Sequence, residues 1–186
     1  MRKSIFGICI CVILTVFIAC DHSNSTPAET HIIDSVKLIE FSDAEAVYNN
    51  SELVVRVEKV SEEPIAYSPG EGHYDRFTLS SVKILNVINQ REDFTYKIGD
   101  VIRILESEWS DDEGVIHHTS HYLKMTKGKI YTLYLGYNSE VDNFYPTGLL
   151  YGKIPEDENE AVFYGDFESE EIIGIVNELR NRAFEN

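Results

Sequence analysis

The sequence predicts a mainly β fold with flanking helices: a small antiparallel barrel followed by a C-terminal amphipathic helix. Three observations carry this. Short segments of alternating apolar and polar residues recur at hairpin spacing from Leu53 to Tyr137. No helical segment separates them, which disfavours a βαβ sheet. The one long 3.6-residue periodicity lies at the C-terminal end.

In chain order, Phe41-Ser42-Asp43-Ala44-Glu45 has the form of a helix start, with Ser42 as cap and Glu45 reaching back to its backbone N–H. That helix is expected to end in the turn-prone Asn49-Asn50-Ser51. Leu53, Val55 and Val57 alternate with Arg56 and Glu58 as a half-buried strand to Val60, and a loop with Pro64, Pro69, Gly70 and Gly72 follows. Phe77 and Leu79 open a longer strand, but Val82 and Ile84 fall on the opposite parity. One extra residue near Ser80-Ser81 accounts for this, as a β-bulge that lets a small sheet curl. Ile98-Gly99-Asp100 turns into a strand from Val101 to Leu105. Asp111, Asp112, Glu113 and Gly114 close a hairpin into a strand running to about Leu123. After Lys127-Gly128-Lys129, the residues Tyr131, Leu133, Leu135 and Tyr137 give the clearest strand. Gly148–Ile154 and Ala161–Phe167 are weaker β candidates around an acidic turn. Ser169 caps a final helix over 169–184, in which Ile172, Ile175, Val176, Leu179 and Ala183 form one apolar stripe and Arg180 and Arg182 suit the C-terminal dipole.

Charge and cysteine usage bound the function. The chain carries 16 Lys+Arg against 32 Asp+Glu, a net charge of −16. Nucleic acid is therefore not an expected partner, and direct contact with anionic headgroups is disfavoured. Arg2 and Lys3 precede an uncharged run from Ile5 to Ala19, too short to span a bilayer and characteristic of a secretory leader. Cys9 and Cys11 lie within that run, so Cys20 would be the sole thiol of the processed chain, with no intramolecular partner.

Phe17-Ile18-Ala19-Cys20 resembles the bacterial lipobox, although Ile18 is bulkier than the small residue usual at its position. The resemblance implies cleavage after residue 19 and lipidation of Cys20. Two or three acyl chains would then hold the protein stably on the extracytoplasmic face of a cell membrane. Residues 20–34, rich in Ser, Asn, Thr and Pro, read as a flexible tether to a single domain over 35–186. Val54-Val55-Arg56-Val57, Val82-Lys83-Ile84-Leu85-Asn86-Val87, Ile98-Gly99-Asp100-Val101-Ile102 and Lys127 to Leu135 resemble the strand pattern of exported OB-like barrels of the netrin and tissue-inhibitor-of-metalloproteinase kind. The resemblance covers about residues 45–153. It implies a binding or inhibitory module, but the animal inhibitors' disulfides and free N-terminal cysteine are missing, so their way of chelating a metal does not carry over.

For chemistry, His117, His118 and His121 form the one histidine cluster. On a continuous strand, 117 and 121 would stand about 13 Å apart. On a helical turn they would meet, but without the glutamate of a zinc protease. Asp111, Asp112 and Glu113 lack calcium-loop spacing. No nucleophile elbow, available catalytic cysteine or phosphate loop is present, so no catalytic residue and no cofactor are expected. Tyr137, Phe144, Tyr145 and Tyr151 are the ligand-binding candidates, able to offer aromatic faces to a glycan or an envelope protein. In the alternative, the same aromatics pack the barrel. The sequence favours a membrane-anchored, non-catalytic binding module over a metal-binding envelope protein using the three histidines or an envelope hydrolase.

Overall fold

In the computed structural model, residues 29–33, 40–70, 73–165 and 169–185 are described. The leader, Cys20, most of the tether, Gly72 and Phe167 lie outside them. The elements are β1 (Thr30–Ile33), α1 (Ala44–Asn49), β2 (Leu53–Gly70), β3 (His73–Gln90), β4 (Val101–Glu106), β5 (Glu108–Ser110), β6 (Ile116–Thr119), β7 (Ile130–Asn138), β8 (Asn143–Pro146), β9 (Lys153–Pro155) and α2 (Glu170–Glu185). The mainly β class and the C-terminal helix are as expected. A six-stranded sheet runs β2-β3-β4-β8-β7-β9, with β7 also pairing back onto β2, and a three-stranded sheet runs β1-β6-β5. All pairings are antiparallel except β4–β8 and β1–β6.

β2 and β7 bury both faces, which places two cores. On one side Leu53, Val55, Val57, Val82, Ile84, Ile102, Ile104, Leu133 and Leu135 pack together. On the other, Val54 and Tyr134 lie among Ala44, Val47, Tyr151, Ile154, Ile175, Val176 and Leu179, so both helices cover the same strand pair. The stripe read on α2 buries Ile175, Val176 and Leu179 there, and the Ser169 hydroxyl accepts from the Ile172 N–H at 3.4 Å.

Several local expectations need correction. The N-cap of α1 is Asp43, whose Oδ1 accepts from the Ala46 N–H at 2.7 Å while Ser42 donates to its other oxygen at 3.0 Å. A carboxylate makes the stronger, charge-assisted cap. Glu45 is left to receive Asn49 at 3.2 Å and Arg182 at 2.7 Å, tying α1 to α2. The Pro64–Gly70 segment is strand: β2 runs on to Gly70 against β3, forming a long two-stranded ribbon. Beyond Glu58, β2 has lost β7 as a neighbour, and a strand with one open edge tolerates proline.

The irregularity expected near Ser80-Ser81 is present, but its extra residue sits on the partner strand: Ser61 faces Ser81 and Lys59 faces Val82, which leaves Val60 of β2 bulged. Within β3, Thr78, Ser80, Val82 and Ile84 are buried on one parity and Leu79 on the other, so the face that carries Val82 and Ile84 turns polar toward Thr78. Further register shifts place extra residues within β3 at Leu85 and Ile88. The strand expected to reach Leu123 stops at Thr119, because Ser120 (φ 45°) and His121 (φ 63°) adopt left-handed backbone. Late in the chain, β occurs at Asn143–Pro146 and Lys153–Pro155. In place of a strand, 161–165 contributes one bridge, Phe163 to Tyr122. Thr30–Ile33, read as the end of the tether, instead pairs with Ile116–Thr119.

Candidate functional site

At the root of the ribbon the inward-facing parity turns from apolar to ionic. Lys59 continues the line of Leu53, Val55 and Val57, and Glu106 continues Ile102 and Ile104; both are fully buried. The Lys59 ammonium donates to Glu62, to Glu106 Oε1 at 3.1 Å and to the Met125 carbonyl at 2.6 Å. Glu106 Oε1 also receives Ser80, and Oε2 receives the Tyr122 hydroxyl at 3.0 Å and the Met125 N–H at 2.7 Å. Every strong donor position on Lys59 and both carboxylate oxygens are thus engaged. Lys124 joins the rim by donating to Glu62 at 2.7 Å. Burial opposes ionisation of Glu62, but the hydrogen bonds from Lys124 and Lys59 outweigh it and hold the carboxyl below its ordinary value.

A second buried cation lies alongside. Lys153 donates to the Leu123 carbonyl and sits over the rings of Tyr122 and Tyr131, at 5.5 and 5.7 Å from their centroids. Burial pulls its ammonium down to about 8, against the attraction of Glu106, Glu160 and Glu108. Burial likewise pushes Glu108 up, although the Lys124 N–H donates to it at 2.7 Å. The Tyr122 hydroxyl is pushed well up by burial and by Glu106. None of these groups lines either groove described below. The network therefore ties β2, β3, β4 and the 122–125 segment to one another.

Among the described residues, two open grooves flanking the ribbon share Ile65 and Phe77. One, of about 310 Å³, is bounded by Ile65, Phe77, Leu105 and the β7–β8 turn residues Asn138, Glu140, Val141 and Asn143. The other, of about 210 Å³, lies between Pro64, Ala66 and Arg76 of the ribbon and Trp109, Ser110 and Asp112 of the β5–β6 hairpin. The first is mainly apolar with amides at its rim, the second mixed polar and aromatic.

The four aromatic candidates do not share one surface. Tyr151 is buried beside Phe41 in the helix-covered core, and Phe144 is buried in the core on the opposite face of β2 and β7. Tyr137 is half-buried against Phe94 and Phe144, and its hydroxyl donates to Asp142 at 2.6 Å. Tyr145 alone stands out, 43% exposed. Its ring lies on Gly136, where an added Cβ would come within 2.5 Å of it, so the glycine is what lets the ring lie flat on β7. Tyr145 is two residues from groove-lining Asn143, hence on the same face of β8.

The three histidines also separate. His117 and His118, adjacent on a strand, face opposite ways: His117 stacks on Trp109 and bonds Asp111 at 2.8 Å, whereas His118 stacks on Tyr164. The break at Ser120 brings His121 toward His118, ring centroids 6.2 Å apart, and not toward His117. Burial lowers the His118 pKa, with His121 adding to the effect. Among the described residues no group of three His, Cys, Asp or Glu side chains is placed to hold a metal ion.

Sequence reasoning missed Lys59, Glu106, Lys153 and Trp109. The first two were signalled by a charge falling on the inward parity of an otherwise apolar strand. No protein-family model matches the chain, and neither the curated proteins nor the solved structures include a match.

Proposed function

We propose that the chain is a membrane-anchored, extracytoplasmic, non-catalytic binding module built on an OB-like barrel, with its ligand held in the groove between the ribbon and the β7–β8 turn. Support for the barrel comes from the pairing circuit β2-β3-β4-β8-β7 and back to β2, in which only β4–β8 is parallel. Five strands in that order suit a partly open Greek-key barrel. The observation that carries the function is the groove's place. It lies between the connection joining the first two barrel strands and the turn joining the last two, the region where such barrels take ligands. Its lining of Ile65, Phe77, Leu105 and Val141 with Asn138, Glu140 and Asn143 offers apolar contact plus amide hydrogen bonding, suited to an extended peptide or a protein loop. Anchoring rests on the Cys20 motif and places the module at the bilayer surface, with an envelope protein as partner. Among the described residues no helix is long and apolar enough to cross a membrane, which leaves attachment to the acyl group in this reading.

Photo-crosslinking in cells tests it. With benzoylphenylalanine replacing Tyr145, one dominant protein adduct is expected, absent when the same probe replaces exposed Glu171 on α2. Identical adduct patterns from both positions, or none from 145, would overturn the assignment of this face.

A further inference from the structure

The second groove points to a different ligand chemistry. Trp109 lines it and is held in place from behind. Its ring stacks on His117 at 5.4 Å and 11°, His117 bonds Asp111 at 2.8 Å, and Asp111 in turn accepts from the Glu113 and Val115 N–H groups at 3.1 and 2.8 Å. His31 of β1 closes the stack edge-on, 5.4 Å from His117. The indole is thus ordered before any ligand arrives, which lowers the entropy cost of binding. Beside it, Arg76 and Asp112 are exposed, and neither side chain has a hydrogen-bond or ion-pair partner among the described residues. Ser110 adds a hydroxyl.

We propose that this groove is a subsite for one neutral, hydroxyl-rich sugar ring, a hexopyranose unit of a glycan. A pyranose has an apolar C–H face, which suits the negative π face of an indole. Its vicinal hydroxyls are both donors and acceptors, matching a guanidinium and a carboxylate that line the same groove. The volume of about 210 Å³ falls short of the roughly 300 Å³ at which drug-sized pockets begin, so one ring is seated and the open groove lets a chain continue outward. Neutrality follows from charge: a protein at −16 repels a polyanion, and Asp112 opposes an anionic group next to Arg76. The aromatic expectation from sequence, a glycan on tyrosines, is thereby moved to the tryptophan. This site stands independently of the groove beside Val141.

Trp109 is the chain's single tryptophan, so its emission reports this groove alone. The purified full chain is titrated with the methyl glycosides of glucose, galactose and N-acetylglucosamine. At least one should shift the emission saturably, with Kd on the order of millimolar, and Arg76→Ala and Asp112→Asn should each weaken it by about tenfold. Val141→Ser in the other groove should leave it unchanged, and the near-ultraviolet circular dichroism of all variants should match the parent. No shift with any of the three glycosides at about ten times millimolar, or a shift that persists in the Arg76→Ala/Asp112→Asn double variant, would overturn the proposal.

Discussion

Lys59→Ala is expected to lower the unfolding free energy by about 3–5 kcal/mol, because it removes the ammonium partner of a fully buried carboxyl, Glu106. Glu106 would keep Ser80, Tyr122 and the Met125 N–H, three neutral donors that do not replace a charge. The Met125 carbonyl would lose its donor as well. By contrast, the exposed pair between Arg103 of β4 and Glu63 of the ribbon contributes at most about 1 kcal/mol. In a double-mutant cycle, Lys59→Met with Glu106→Leu should cost clearly less than the two single changes added together, since the double change removes both charges at once. Urea titration of the four proteins measures this. A Lys59→Ala variant within about 0.5 kcal/mol of the parent would mean that the pair is solvated and does not hold the ribbon root.

The second large effect is a pH dependence from Lys153. Its folded pKa of about 8 lies below the ordinary lysine value of 10.5. Between those values the unfolded chain binds more protons than the folded one, so stability rises as pH rises through that window. Below pH 8 the buried charge costs on the order of 3 kcal/mol. The tyrosines act in the opposite direction but only later. Burial raises Tyr122 and Tyr131, and takes Tyr134 to about 12, so their ionisation penalises the folded state above about pH 10. Stability should therefore climb from pH 8 to about pH 10 and fall beyond it. Lys153→Met should abolish the climb. At pH 7 it should also stabilise by about 1 kcal/mol, the relieved burial cost being partly offset by a Leu123 carbonyl left without its donor. A flat profile in the parent, or an unchanged slope in the variant, would show that Lys153 reaches water.

Period-2 patterning made β4, β7 and the first half of β2 legible, and the 3.6-residue stripe did the same for α2. Patterning says which residues share a face, and these faces are apolar. It misplaced the bulge where the inner face is polar: the extra residue was expected in β3 near Ser80 and falls on Val60 of β2, and an interior built around Lys59, Glu106 and Glu108 does not read as an interior. It failed again at Pro64, since proline reads as loop unless the open edge of the strand is known, and that edge is set by where β7 stops pairing. The break after Thr119 depends on positive φ at Ser120 and His121, neither of them a residue that announces it. For the candidate sites, the tyrosine segment was found but its members could not be ranked. Tyr145 and Phe144 are neighbours on one strand, and parity alone sends one outward and the other into the core. The grooves were not legible, because each joins the ribbon to a segment 30 or more residues away.

The proposal as a whole depends on the module being held at a membrane, and intact mass of the mature protein from its host, with and without Cys20→Ala, tests that most directly. The account predicts a chain beginning at Cys20, heavier than its amino acids by two or three acyl chains and found in the membrane fraction; the Cys20→Ala protein should lack the added mass and leave the membrane. A mature chain that begins elsewhere, or an unmodified Cys20 in the soluble fraction, would contradict it.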